Sequence, residues 1–397
     1  MQNTFKKLDQ FMLDNQVLWR FEPFHDSINP SNPWNEPHPG LSAWLESLDQ
    51  GDIEQFKSDS LSLSQHIQRF CPELAEINTL IQLPFQDAQP LAFDSHLFNG
   101  IPGRKLEQIT SMGELSVELH RGEEWLEWCS GKGYLGRILA ASTKQQVTSF
   151  EFQHSLCEAG QSQAEALELP MTFIQGDALI DEPLACMHDK QHAVALHACG
   201  DLHVNLLYKA TQKFLPAMTI SPCCYHLIES DQYQPMSLLA QSSKLVLSKQ
   251  ELRIPLQETV TGGERVKRHR FQEMSYRLGF DLMLRELGIS KEYIAIPSIK
   301  KSQLALGFES FCIWAANKKS LNLPSVNFTE YHNKGIARFW QMERISLIQQ
   351  LFRRPLELWL VLDKALYLQQ QGYNVSLSQF CSREVTPRNI LLHAYRD

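Results

Sequence analysis

From residue 124 onward the chain alternates short apolar runs with amphipathic stretches. "EWLEWCSGKGYLGRILA" (124–140) reads as an apolar strand, a glycine-containing turn and a helix. "QVTSFEF" (146–152) reads as a second strand, followed by the helix "HSLCEAGQSQAEAL"; "MTFIQGDAL" (171–179) reads as a third. "HAVALHACGDL" (192–202) is a fourth, followed by the helix "HVNLLYKATQKF", and "AMTISPCCYHL" (217–227) a fifth. Strands alternating with helices predict right-handed crossovers and a parallel sheet covered on both faces. Ahead of this run, "RKLEQITSMGELSVEL" from residue 104 has the spacing of an amphipathic helix. Beyond it, 268–288 reads as helical, and "GFESFCIWAANK" (307–318) as a β-rich run suited to the last strands of the same sheet. "LNLPSVN" (321–327) reads as a linker, and 328–397 as mostly helical. In residues 1–100, 41–48 and 60–81 show helical spacing, and the four prolines of 24–40 predict an irregular packed loop. The expected division is an accessory region at 1–100, an α/β domain at 101–320 and a helical extension at 321–397.

Composition narrows the class. The 397 residues are 43% hydrophobic and 21% charged, ordinary for a soluble globular chain. No apolar run is long enough for a signal peptide or a membrane span. Nine scattered cysteines cannot all pair within one chain, which favours free thiols and a cytoplasmic setting. The net charge of −8 is concentrated: residues 1–100 hold five Lys/Arg against fourteen Asp/Glu, and 101–397 hold 32 against 31. The charge therefore argues against a general nucleic-acid coat protein, but the basic knot "ERVKRHRF" (264–271) leaves room for a local RNA or DNA contact. The oligomeric state is not legible.

The candidate chemistry sits at strand ends. Glu127 ends the first strand, and Gly131 and Gly133 occupy the turn into the following helix, where free backbone N–H groups meet a ligand. Glu151 ends the second strand about 20 residues later, where a carboxylate accepts both hydroxyls of a ribose. Asp177, just past the third strand, is placed to bond an adenine amino group. Cys129 stands where a dinucleotide fingerprint has its first glycine. The looser E-x-C-x-G-x-G form suits S-adenosylmethionine better than a pyrophosphate-bearing dinucleotide.

In this order, "LEWCSGKGYLGRILA", "FEFQ", "QGDAL", "LHACGDL" and "SPCCYHLI" resemble a class I S-adenosylmethionine-dependent methyltransferase. More narrowly they resemble the methyltransferase-domain family that includes the glutathione-S-transferase C-terminal-domain-containing protein. "GRKLEQI" and "VTPRNILL" (385–392) resemble elements flanking that domain, and the H-x-C-G and C-C-x-H pairs are similar to those of tRNA ribose methyltransferases. The resemblance implies a Rossmann-like seven-stranded sheet of order 3-2-1-4-5-7-6 with S-adenosylmethionine as cofactor. Glu127, Cys129, Gly131 and Gly133 would flank its methionine part, Glu151 its ribose, and Asp177 with Ala178 its adenine.

That topology brings His197, Cys199 and Asp201 beside the donor, with Cys223, Cys224, Tyr225 and His226 next to them. Zinc is disfavoured because no C-x2-C or H-x3-H pair is present and adjacent cysteines of an extended strand point to opposite faces; no metal is expected. A vicinal disulfide is disfavoured by strain. Cys223 as a nucleophile needs a lowered pKa. The favoured reading is an acceptor pocket, with Tyr225 and His226 seating the acceptor, His226, His197 or Asp201 taking a proton, and the cysteines packed behind. The leading acceptor class is RNA, tRNA or rRNA, contacted by Arg104, Lys105, Arg265, Lys267, Arg268 and Arg270, with Cys224 at the pocket wall. Protein and small-molecule acceptors stay open, as does a catalytically silent methyltransferase-fold binding module.

Overall fold

The computed structural model describes residues 1–29, 31–91, 95–101, 103–257 and 263–396, without the side chains of Ser95, Arg104 and His197. The chain forms two compact units: Met1–Asp14, Ile77–Val260 and Arg353–Asp397 make the first, Asn15–Glu76 and Thr261–Phe352 the second. Both are assembled from pieces distant in sequence, so the units cut across the division expected from sequence.

The first unit is built on a seven-stranded sheet of order β3-β2-β1-β4-β5-β7-β6. Its strands are β1 (Glu124–Trp128), β2 (Val147–Glu151), β3 (Met171–Gln175), β4 (Gln191–Cys199), β5 (Ala217–Cys223), β6 (Asn374–Gln379) and β7 (Ile390–Tyr395). β1 to β5 pair in parallel, and β7 runs antiparallel to both β5 and β6. β2 and β5 are buried along their whole length, as expected of strands covered on both faces.

Two expectations are corrected here. Residues 307–318 are not strand: Phe308–Lys318 is a helix of the second unit. Phe308, Phe311, Cys312 and Ala315 recur at three- and four-residue spacing and are all buried, so helical periodicity overrides the β preference of the aromatic residues. The last two strands come instead from the tail, after the helices Phe328–Gln350 and Arg353–Gln370.

The helix Arg353–Gln370 is buried from Arg354 to Leu368. Its Asp363 accepts hydrogen bonds from the Tyr233 hydroxyl (2.7 Å) and the Met236 and Ser237 N–H groups (2.9 and 2.7 Å). The N-terminal helix Gln2–Asp14 also joins this unit: Asp9 accepts from Trp359 Nε1 at 2.8 Å, and Phe5 packs on the same indole. In the second unit, Glu343 is buried between Lys57 (2.5 Å) and Arg270 (2.6 Å), and Arg338 donates to Asp281 at 2.6 Å. Among the described residues no helix is long and apolar enough to cross a membrane.

Candidate active site

In an open α/β sheet, ligands bind beyond the C-terminal ends of the strands where the strand order reverses. Here that point lies between β1 and β4, and it is where the sequence candidates converge. β1 runs into a turn whose Cys129, Gly131 and Gly133 all have positive φ (52°, 59° and 70°). A Cβ on Gly131 would meet nothing within 4 Å, so the turn presents bare backbone to open space. Glu151, itself buried, braces this turn. Its Oε2 accepts from the Gly131 N–H at 2.9 Å and its Oε1 from the Gln153 N–H at 2.9 Å. A carboxylate offers about four lone-pair positions, so roughly two remain for vicinal hydroxyls.

Glu127 lies deeper. Its Oε2 accepts from the Ser149 hydroxyl at 2.8 Å, and a Cβ on Gly136 would come within 2.5 Å of the same oxygen. Burial pushes its carboxyl up to about 7, against the opposing pull of the Gly136 N–H, Ser149 and Arg137. Glu127 thus holds the start of the helix Tyr134–Thr143 and bears on a ligand through the turn. Burial pushes the Cys129 thiol up to about 12, so it stays a neutral packing group.

Past β3, Asp177 Oδ1 accepts from the Leu179 N–H at 2.8 Å, while its own N–H donates to Glu182 at 2.7 Å. Ala178 is buried behind it. Phe152 (65% exposed), Leu179 (52%) and Ile180 (50%) stand uncovered at the adjoining ends of β2 and β3. Large apolar groups left in solvent around two acidic residues suit the faces of a flat heterocycle. The sequence reading missed these three. The signal was available, since "FEF" extends an otherwise fully buried strand by one more aromatic residue.

At β4 and β5 the backbone departs from regularity. Carried forward from Leu196↔Ser221, the register would pair Cys199 with Cys224; a one-residue shift after Leu196 pairs it with Cys223 instead. The Cys199 and Cys223 sulfurs lie 3.3 Å apart. Cys224 has left the strand with φ 45°, and the sulfurs of Cys199, Cys223 and Cys224 all lie within 4.8 Å of one another. The expectation that the adjacent cysteines point to opposite faces is corrected: it held only for extended backbone, and Cys224 is left-handed. The Cys199 and Cys223 thiols donating toward Cys224, with His226 and Arg388 nearby, pull its thiol far down. The same contacts and burial push Cys223 up, which disfavours it as a nucleophile.

Gly200 follows, with φ 55° and a Cβ position only 1.8 Å from the Leu227 carbonyl oxygen, so no side chain fits there. This close approach lets the Asp201 N–H donate to that carbonyl at 3.0 Å, while Asp201 Oδ2 accepts from the Glu229 N–H at 2.7 Å. Asp201 is half-buried, just past the end of β4. Tyr225 does not seat an acceptor. It is buried, with its hydroxyl directed to the Pro222 carbonyl (3.3 Å) and Glu357 (3.5 Å), so its role is to tie β5 to the helix Arg353–Gln370. His226 is half-buried, burial lowers its pKa, and its Nδ1 is shut from solvent with no partner among the described residues. Arg388, in the "TPRN" stretch, is a further residue the sequence reading did not assign. Its Nε and Nη1 are also shut from solvent without partners among the described residues.

The side chains of His197 and Arg104 lie outside the described residues. Lys105 is exposed, with its ammonium 5.4 Å from the centre of the Tyr134 ring. Arg265, Lys267, Arg268 and Arg270 fall on the helix Glu264–Glu286 of the second unit. Arg270 is bound to buried Glu343, and Lys267 pairs with exposed Glu264 at 3.0 Å; Arg265 and Arg268 are exposed.

Residues 104–231 match a family model described as a methyltransferase domain. This segment, about a third of the chain, is thus similar to a methyltransferase domain. Similar solved structures include a Pyrococcus abyssi tRNA (uracil-54, C5)-methyltransferase in complex with S-adenosyl-L-homocysteine, at 19% identity over 29% of this chain and 28% of that one, TM-score 0.26. The CcbJ methyltransferase of Streptomyces caelestis is similar at 15% identity over 31% and 56%, TM-score 0.26. An rRNA methylase from Streptococcus thermophilus is similar at 13% identity over 30% and 73%, TM-score 0.24. The chain thus spans between about a quarter and just over half the length of the first two. No curated protein matches it.

The site fits S-adenosylmethionine on three features of its own. Gly131 leaves open space against bare backbone, Glu151 keeps lone pairs free beside that turn, and uncovered Phe152, Leu179 and Ile180 border Asp177.

Proposed function

We propose that this chain is an S-adenosylmethionine-dependent methyltransferase acting on RNA, tRNA or rRNA, in the reducing cytoplasm. The observation that carries the methyl-transfer reading is the convergence of the Gly131 turn, Glu151 and Asp177 at the reversal point of the β3-β2-β1-β4-β5-β7-β6 sheet. S-adenosylmethionine, when bound, supplies a sulfonium-activated methyl group, so most of the rate comes from alignment of the acceptor.

The residues divide the work by position. Glu151 holds the ribose through its remaining lone pairs, and the Asp177–Ala178 turn with Phe152 and Leu179 encloses the adenine. The Gly131 turn lets backbone approach the methionine part. Asp201 and His226 are the groups at the β4 and β5 ends able to take a proton from an acceptor. Arg388, with unpartnered N–H groups beside them, suits an anionic or carbonyl group of the acceptor.

Support for RNA comes from charge. Residues 261–352 hold 14 Lys/Arg against 8 Asp/Glu, and exposed Arg265 and Arg268 are free to meet phosphates. The test is incubation with labelled donor and total RNA or total protein, followed by fractionation. Label is expected in RNA. Label confined to protein would remove RNA as acceptor, and a chain that binds no S-adenosylhomocysteine would remove the methyltransferase reading itself.

A further inference from the structure

We infer that Cys199, Cys223 and Cys224 form a site for one zinc ion, with a fourth position that no other described side chain fills. The inference does not depend on the acceptor. A tetrahedral zinc thiolate has Zn–S bonds of about 2.3 Å, which places sulfurs about 3.8 Å apart. The three sulfurs here lie within 4.8 Å of one another, with Cys199 and Cys223 at 3.3 Å. Movements of about half an ångström bring them to the coordination spacing.

The backbone is set to produce this cluster. The register shift after Leu196 puts Cys199 beside Cys223, and the left-handed Cys224 swings its sulfur back toward both. The Gly200 N–H donates to the Cys223 carbonyl (3.3 Å) and the Leu227 N–H to the Cys224 carbonyl (3.0 Å), which pins the two ligand-bearing carbonyls. Thiols are weak hydrogen-bond partners for one another, so mutual bonding is a poor reason to gather three of them. A soft cation that prefers thiolate is a better one. Three thiolates on Zn²⁺ leave one negative charge, and the Arg388 guanidinium stands close enough to act on Cys224.

Among the described residues no fourth side chain joins this group of ligand atoms. His226 Nδ1 is shut from solvent and unpartnered among the described residues, yet His226 falls outside the group of mutually close ligand atoms. Three protein ligands with one position free is the arrangement of zinc sites that take water or substrate. A second group, His38, Cys71 and Glu73, is less suited: Cys71 meets His38 Nδ1 at 3.4 Å while Glu73 meets Nε2 at 3.5 Å, so its partners face opposite ring nitrogens.

The test uses the full chain, purified with reductant and without chelator, then dialysed against Zn²⁺ and metal-free buffer. Elemental analysis should find about one zinc per chain, and Co²⁺ in its place should give a thiolate-to-cobalt charge-transfer band with tetrahedral d–d absorption. C199S and C224S should each lower zinc content about tenfold, whereas C186S and C71S keep it. Zinc persisting in a C199S/C224S double variant overturns the inference. Because buried Cys223 is the variant most apt to misfold, the unsubstituted chain provides the deciding measurement: no charge-transfer band on Co²⁺ addition also overturns it. S-adenosylhomocysteine affinity, measured on the same samples, separates loss of metal from loss of the donor site.

Discussion

Replacing Glu151 tests the donor site at its most constrained point. The carboxylate accepts the Gly131 and Gln153 N–H groups at 2.9 Å each. Glu151→Ala removes both acceptors. Gln153 is exposed and its N–H finds water, so the stability cost falls mainly on the half-buried Gly131 N–H, about 1–3 kcal/mol. The binding cost is separate. Two charge-assisted hydrogen bonds to a ribose diol, worth about 1.5 kcal/mol each at the low end, give a loss of about 3 kcal/mol, roughly 100-fold in Kd. Glu151→Gln keeps one acceptor but turns an amide N–H₂ toward a backbone N–H, so it lies between the two. Calorimetry with S-adenosylhomocysteine gives the Kd, and urea unfolding gives the stability. Adenosine and 2′,3′-dideoxyadenosine as competitors isolate the diol: the parent should distinguish them, and Glu151→Ala should not. A folded Glu151→Ala chain that binds within threefold of the parent, or that still prefers the diol, would refute ribose recognition at the end of β2.

Gly200→Ala places a Cβ 1.8 Å from the Leu227 carbonyl oxygen at positive φ, so urea unfolding should show a loss of about 3 kcal/mol or more; an unchanged midpoint would mean the β4–helix turn is not held as described. Asp363→Ala leaves the Met236 and Ser237 N–H groups without this acceptor and the Tyr233 hydroxyl with only its bond from Lys364 (3.0 Å), and should cost about 3–5 kcal/mol in the same assay. Acid should weaken the first unit through buried, neutral histidines. Burial holds His393 down at about 4 and His192 well below its usual range, so the unfolded chain takes up their protons first. Stability is then complete above about pH 6.5 and falls as pH drops through that value, by about 3 kcal/mol for His393 once pH reaches 4; a His393→Gln chain with an unaltered pH profile contradicts this. Arg265→Glu with Arg268→Glu should lower RNA affinity and flatten its salt dependence without unfolding the chain. Arg270, whose charge is committed to buried Glu343, is not a valid probe of RNA contact, because its reversal attacks the second unit's core.

The five parallel strands were legible as short apolar runs alternating with helices, and the places of Glu151 at the end of β2 and Asp177 past β3 followed from that alternation. β6 was not. "NVSLSQ" is a half-polar strand arriving after two long helices, and its pairing with β7 makes it a strand. Nor could sequence show that 15–76 and 261–352 share a core, since the Lys57–Glu343 pair joins residues 286 positions apart. The thiol cluster was hidden for a different reason. A period-2 reading sends Cys223 and Cys224 to opposite faces. It assumes regular backbone, and it fails where a shifted register puts Cys199 beside Cys223 and a positive φ turns Cys224 back. Strain of this kind costs about 1–3 kcal/mol per residue and persists only where surrounding structure enforces it. The chain spends it where three sulfurs meet beside the donor pocket, which is why those sulfurs, rather than Tyr225, are the part of the "SPCCYH" stretch to test first.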